Sequence, residues 1–176
     1  WLDGVGKPLI SKKLIAYQEI EIETTKFTEL NQGENLYRKI NSETVFSFSQ
    51  KNELLSKLRK KVVQDMYYTK PFEQGVIDDK EQVIAASWLA PEGRRLFLDY
   101  LLTYFEEQLH LQTFTNLNEA ETVFHQMEEN QYLPPAQQIK MLSIIRKKAL
   151  NDLYQGVPSP QEFIDIKAIL DSVTWL

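Results

Sequence analysis

Residues 107–110 read Glu107-Gln108-Leu109-His110, the helical Glu-x-x-His spacing that can offer a carboxylate and an imidazole to one metal ion. Such a site normally needs two of these pairs and two further carboxylates. His125 is the only other histidine. Thr122 stands three residues before it and Glu121 four before it, so Glu107, His110, Glu121 and His125 would have to converge. The competing reading is a wet helix face, on which Glu106 and His110 form an (i, i+4) pair. That reading is preferred, and no metal or cofactor is expected.

Nucleophilic chemistry finds no foothold. The chain has no cysteine and no Gly-x-Ser-x-Gly elbow, and its six glycines are not grouped as a phosphate or dinucleotide loop. The carboxylate pairs Glu106-Glu107 and Glu128-Glu129 are adjacent. Neighbours on a helix point about 100° apart, which keeps them from sharing a proton. No catalytic residue is assigned, and the chain is expected not to be an enzyme.

The basic residues offer a different chemistry. Lys57, Lys60 and Lys61 share one helix face, and Lys140, Ser143 and Lys147 share another. Lysine or arginine on such faces can neutralise phosphates, giving salt-dependent and sequence-independent binding. Lys148 adjoins the second cluster and Arg94 is a further candidate, while Arg146 falls nearer the apolar side of its helix, where it pairs internally or reaches over an edge. Net charge is −5, and residues 99–129 carry seven acids with no Lys or Arg. Charge is therefore segregated along the chain. The plainer account is that the lysines simply solvate a bundle.

The elements that must carry these residues are helices. Ser11 caps a helix running to about Ile40, with strand-like alternation at 20–25 and Gly33 as a candidate break. Ser49 caps a helix to about Tyr68, with Leu54, Leu55, Leu58, Val62 and Met66 on one face. Asp78 or Asp79 opens a short helix to about Leu89, and Pro91 starts the next. That helix is apolar nearly all round from Leu96 to Leu109. Asn116 or Asn118 caps a helix to about Asn130, and Pro134-Pro135 launch one ending near Gln155 and Gly156. Ser159-Pro160-Gln161-Glu162 is a capping box for a last helix to about Val173.

The expected fold is all-α, a single helical bundle of six to seven helices over residues 1–176. No internal repeat is visible in this reading. With 43% hydrophobic residues the chain needs no staples. No apolar run approaches the roughly 18 residues of a membrane span, so no membrane partner is expected. Absence of cysteine fits a reducing cytoplasm. The start at Trp1 suggests a fragment or C-terminal part of something longer.

Two segments carry a family resemblance. They are Gly93-Arg94-Arg95-Leu96-Phe97-Leu98-Asp99-Tyr100-Leu101-Leu102-Thr103-Tyr104-Phe105, followed by Phe114, and the stretch from Gln138 to Tyr154. Through them the C-terminal half resembles the small-subunit-like helical domain that ends the large subunit of type I-D CRISPR surveillance complexes (Cascade). The resemblance implies a non-catalytic antiviral-defence subunit. It would contact other subunits of the ribonucleoprotein and hold displaced single-stranded DNA, or the RNA–DNA duplex, by its backbone. Lys57, Lys60, Lys61, Arg94, Lys140, Arg146, Lys147 and Lys148 would carry the phosphate contacts. The alternative is a protein–protein adaptor or regulatory bundle that binds no nucleic acid.

Overall fold

The computed structural model describes residues 6–68 and 79–154, with 159, 161, 164, 167, 168 and 171–176. The described residues are helical, with no strand, as the hydrophobic periodicity requires. Seven α-helices are delimited: α1 (Gly6–Thr24), α2 (Leu30–Ser42), α3 (Phe48–Tyr67), α4 (Lys80–Ala85), α5 (Glu92–Leu111), α6 (Leu117–Glu128) and α7 (Pro135–Leu153). A 3-10 turn at Ser87–Leu89 precedes α5. No described helix is long and apolar enough to cross a membrane.

Local chemistry sets most boundaries. Ser47, not Ser49, caps α3: its side chain accepts from the Gln50 N–H while Gln50 Oε1 accepts from the Ser47 N–H. This satisfies two orphan donors at once. Asn116 caps α6 by accepting from the Glu119 N–H at 3.0 Å. Pro135 opens α7 at the position where its missing N–H costs little. The capping box at 159–162 includes Pro160 and Glu162, which lie outside the described residues, as does Gly156.

One boundary is tertiary. The helix expected from Ser11 to Ile40 is two helices, because the chain turns at Thr25–Glu29. There the Phe27 N–H donates to Asp65 Oδ2 at 3.0 Å, and Phe27 is buried to 1% exposure. Ser11 is no cap; it lies buried within α1 with its hydroxyl on Gln50.

The chain divides into two compact units, Trp1–Tyr104 and Phe105–Leu176, and the division falls within α5. In unit 1, α1 and α2 pack on α3, and in unit 2, α6 packs on α7. Val62, Val63, Leu58 and Ile40 centre the core of unit 1, and Ile145, Ala149 and Met141 that of unit 2.

The chain is an internal repeat, contrary to the sequence reading. Pairing residues 1–89 with 88–176, an offset of 87, needs no gap, and 27 of the 89 pairs are identical. The helices follow the offset: α1, α2 and α3 pair with α5, α6 and α7. The densest stretch is Leu-Ser-x-x-Arg-Lys-Lys-x-x-x-Asp-x-Tyr, at 55–67 and again at 142–154. The two basic clusters thus overlap in one motif written twice, which pairs Lys60 with Lys147 and Lys61 with Lys148 but leaves Lys57 and Lys140 without a basic counterpart.

Candidate functional site: the basic helices α3 and α7

The repeated motif builds the same polar clamp in each unit. In unit 1, Arg59 on α3 donates from Nε to the Trp88 carbonyl at 2.7 Å, and its guanidinium lies 5.5 Å from the Tyr37 ring centroid. In unit 2, Arg146 donates from Nε to the Trp175 carbonyl at 2.5 Å and lies 4.9 Å from the Phe124 ring. The rings also pair, Tyr37 with Trp88 at 5.7 Å and Phe124 with Trp175 at 5.1 Å. A planar guanidinium suits this double task of donation and stacking, which lysine could not perform.

Two turns further along each helix sits an aspartate. Asp65 holds the Phe27 N–H and pairs with Lys61; Asp152 holds the Phe114 N–H at 3.0 Å and pairs with Lys148 at 2.9 Å. The Phe114 N–H and then Lys148 hold the Asp152 carboxyl below the usual carboxylate range. Each aspartate therefore ties the loop before α2 or α6 to the long helix. Thr28 and Thr115 complete the loop: their N–H groups donate to Gln32 and Glu119 respectively.

The eight cationic residues expected at phosphates meet several fates. Lys57 pairs with Glu19 and Glu53, and the Glu19 hydrogen bond raises its pKa. Lys140 pairs with Glu106. Lys61, Lys148 and Arg146 belong to the clamps just described. Arg94 is half-buried, and its Nε is buried with no hydrogen bond among the described residues. Only Lys60 and Lys147 are exposed with no partner among the described residues. They occupy the same position of the repeat. The lysine face read on α3 is thus mostly a set of links within unit 1.

The candidate metal ligands do not assemble. His125 lies 3.1 Å from Glu128 and 3.8 Å from Glu121, both on its own helix, and His110 is exposed. Among the described residues no group of three His, Asp or Glu is placed to hold an ion.

Of the residues that organise both units, Arg59, Asp65 and Trp88 with Arg146, Asp152 and Trp175, only Arg146 was singled out from the sequence. The recurrence of Arg-Lys-Lys-x-x-x-Asp-x-Tyr was the signal that could have found them.

Comparison with family models, curated proteins and solved structures finds no match. The two repeats supply a comparison of their own. Several identical positions have a structural cause: Phe27 and Phe114 are buried, the arginines and aspartates clamp, and Glu34 and Glu121 pair with Arg38 and His125 one turn on. Lys60 and Lys147 are identical and exposed without such a cause. The segments that carry the CRISPR resemblance, 93–105 and 138–154, recur at 6–18 and 51–67. They are therefore the chain's own repeating helices.

Proposed function

We propose that the chain is a non-catalytic helical scaffold, two copies of one module, that binds other proteins. The observation behind this reading is the duplicated clamp. It turns Arg59, Lys61, Arg146 and Lys148 into internal links of each unit, so these cations hold the fold together. Repetition of a module presents equivalent surfaces more than once, which suits multivalent binding.

A second reading is favoured by Lys60 and Lys147. Two lysines at equivalent positions, with no partner among the described residues, could each meet a phosphate, and Lys57 and Lys140, themselves 46% and 56% exposed, could exchange a carboxylate for one at little cost. On this reading the chain is a nucleic-acid-supporting subunit of a cytoplasmic CRISPR-type ribonucleoprotein.

Fluorescence anisotropy of labelled single-stranded and duplex DNA across a salt series separates the two. The scaffold reading expects no binding at low salt. Binding that weakens steeply with salt, and is lost in Lys60→Glu/Lys147→Glu, would replace it with the nucleic-acid reading.

A further inference from the structure

Within unit 2, the last turn of α5 and the second half of α7 border an open groove of about 280 Å³. That is close to the lower bound of small-molecule pockets, roughly 300 Å³, so its occupant is small. Leu109, 4% exposed, and half-buried Ile144 form an apolar wall. His110, Lys147 and Asn151 supply the polar lining, and all three are exposed. Lys147 and Asn151 stand one turn apart on α7, so both reach the groove from one helix face. None of the three has a hydrogen bond or ion pair among the described residues. The other charges nearby are already used. Asp152 accepts from the Phe114 N–H and pairs with Lys148, and Glu106, one turn before His110, takes Lys140. The lining thus keeps one unbalanced positive charge, with N–H donors on the imidazole and the amide beside it.

The repeat shows that the module does not itself require this lining. Lys60 occupies the position of Lys147, but Glu23 stands where unit 2 has His110, and Lys57 where it has Ile144. Unit 1 therefore has a carboxylate of its own at the end of α1. In place of the apolar wall it has a lysine that is paired with Glu19 and Glu53. Unit 2 combines a free cation, neutral donors and an apolar side chain at the same positions.

We propose that this groove binds a small phosphate monoester with an apolar organic part. A monoester carries about −1.5 to −2 charge at neutral pH and three terminal oxygens. Lys147, His110 and Asn151 share those oxygens, with the lysine as the point charge that phosphate favours. Leu109 and Ile144 cover the organic part. A carboxylate or a phosphodiester offers one charge and two such oxygens, and leaves a donor unused. The site is therefore distinct from the backbone contact of the nucleic-acid reading, and it rests on neither reading of the function.

The test follows amide shifts of the isotope-labelled chain by NMR, at neutral pH and fixed ionic strength, during titration with phenyl phosphate, inorganic phosphate or dimethyl phosphate. Phenyl phosphate should give saturable shifts at 109–110 and 144–151 and none around Lys60. It should bind about tenfold or more tighter than inorganic phosphate, the ratio that about 1.4 kcal/mol produces. Lys147→Ala should weaken it by a similar factor. His110→Glu, which gives the groove the carboxylate of unit 1, should abolish saturation. Both substitutions fall at exposed positions, and the spectra themselves show whether each variant is folded. Absence of saturable shifts in the groove overturns the proposal, as does a Lys147→Ala variant that binds like the wild type. Equal shifts around Lys60 would mean general counterion association. Equal affinity for dimethyl phosphate would mean a backbone contact, and equal affinity for inorganic phosphate a site for the free ion. Each of these three results also overturns it.

Discussion

The two repeats fill the same space in two ways. In unit 1, Gly33 on α2 lies against Val62 and Trp88; in unit 2, the corresponding residues are Ala120, Ala149 and Trp175. All six are buried. Where the short helix has no methyl, the long helix carries valine; where the short helix gains one, the long helix drops to alanine. The tryptophan stays fixed, at 7% and 6% exposure. The backbone arrangement is thus held by the clamp and the tryptophan, while volume is traded between the helices that face it. This is the expected behaviour of a close-packed interior, which conserves filled volume more strictly than identity.

The comparison breaks most severely if the fixed point is removed. Trp88→Ala should destabilise by about 3–5 kcal/mol, and Trp175→Ala by a similar amount, through lost burial and the cavity left behind. Chemical denaturation of each variant checks this. If only one of the two matters, the clamps are equivalent in geometry but not in energy.

Next comes the volume trade. A Cβ on Gly33 would lie 2.6 Å from Val62 Cγ2 and 2.7 Å from the Trp88 ring. Gly33→Ala should therefore cost about 1–3 kcal/mol by overpacking. Val62→Ala should cost about 2 kcal/mol as a cavity. The double variant reproduces the pair found in unit 2, so its loss should be clearly less than the sum. A double-mutant cycle measures the coupling, and strict additivity would mean that the two sites do not share that space.

The Asp152 clamp gives a pH signature. Asp152 is held below the ordinary carboxylate range by the Phe114 N–H and Lys148. Its contribution is therefore complete above the unfolded value of about 3.9 and is lost as pH falls through the lower folded value. Asp152→Asn should remove about 1.5–3 kcal/mol at neutral pH, the worth of a charged hydrogen bond. It should also flatten the loss of stability below pH 4. Urea midpoints for wild type and variant at neutral and acid pH give the comparison.

How far this could be read from sequence depends on where each cause lies. Of the apolar face, Leu54, Leu55, Leu58 and Val62 are buried as their spacing demands and Met66 is half-buried, and Arg146 turns inward as its position suggested. The turn between α1 and α2 was hidden, because it is fixed by Asp65, which lies 38 residues beyond Phe27. The partners of the lysine faces were hidden for the same reason: Glu19 and Glu106, far away in sequence, take up Lys57 and Lys140. The repeat was legible and was missed, since its identities come singly or in pairs and reach three in a row only at Arg59-Lys60-Lys61 and Arg146-Lys147-Lys148.

The smallest expected effect concerns those two ion pairs. Glu19 and Glu106 are equivalent and identical, yet their lysines are not at equivalent positions. Lys57 corresponds to Ile144, and Lys140 corresponds to Glu53, one helical turn earlier. The same carboxylate has found a cation from either of two neighbouring turns of the long helix. A pair that tolerates such a shift cannot depend on tight geometry, and both lysines are about half exposed, at 46% and 56%. Lys57→Ala and Lys140→Ala should each change stability by less than about 1 kcal/mol, and by less still at high salt. Lys140→Glu with Ile144→Lys would move the unit 2 pair to the turn used in unit 1. It should keep most of the stability that Lys140→Glu alone loses by setting two carboxylates together. Thermal melts of the single and double variants at low and high salt would show this, and an equal loss in both would mean that the pairing across these helices is specific to its turn after all.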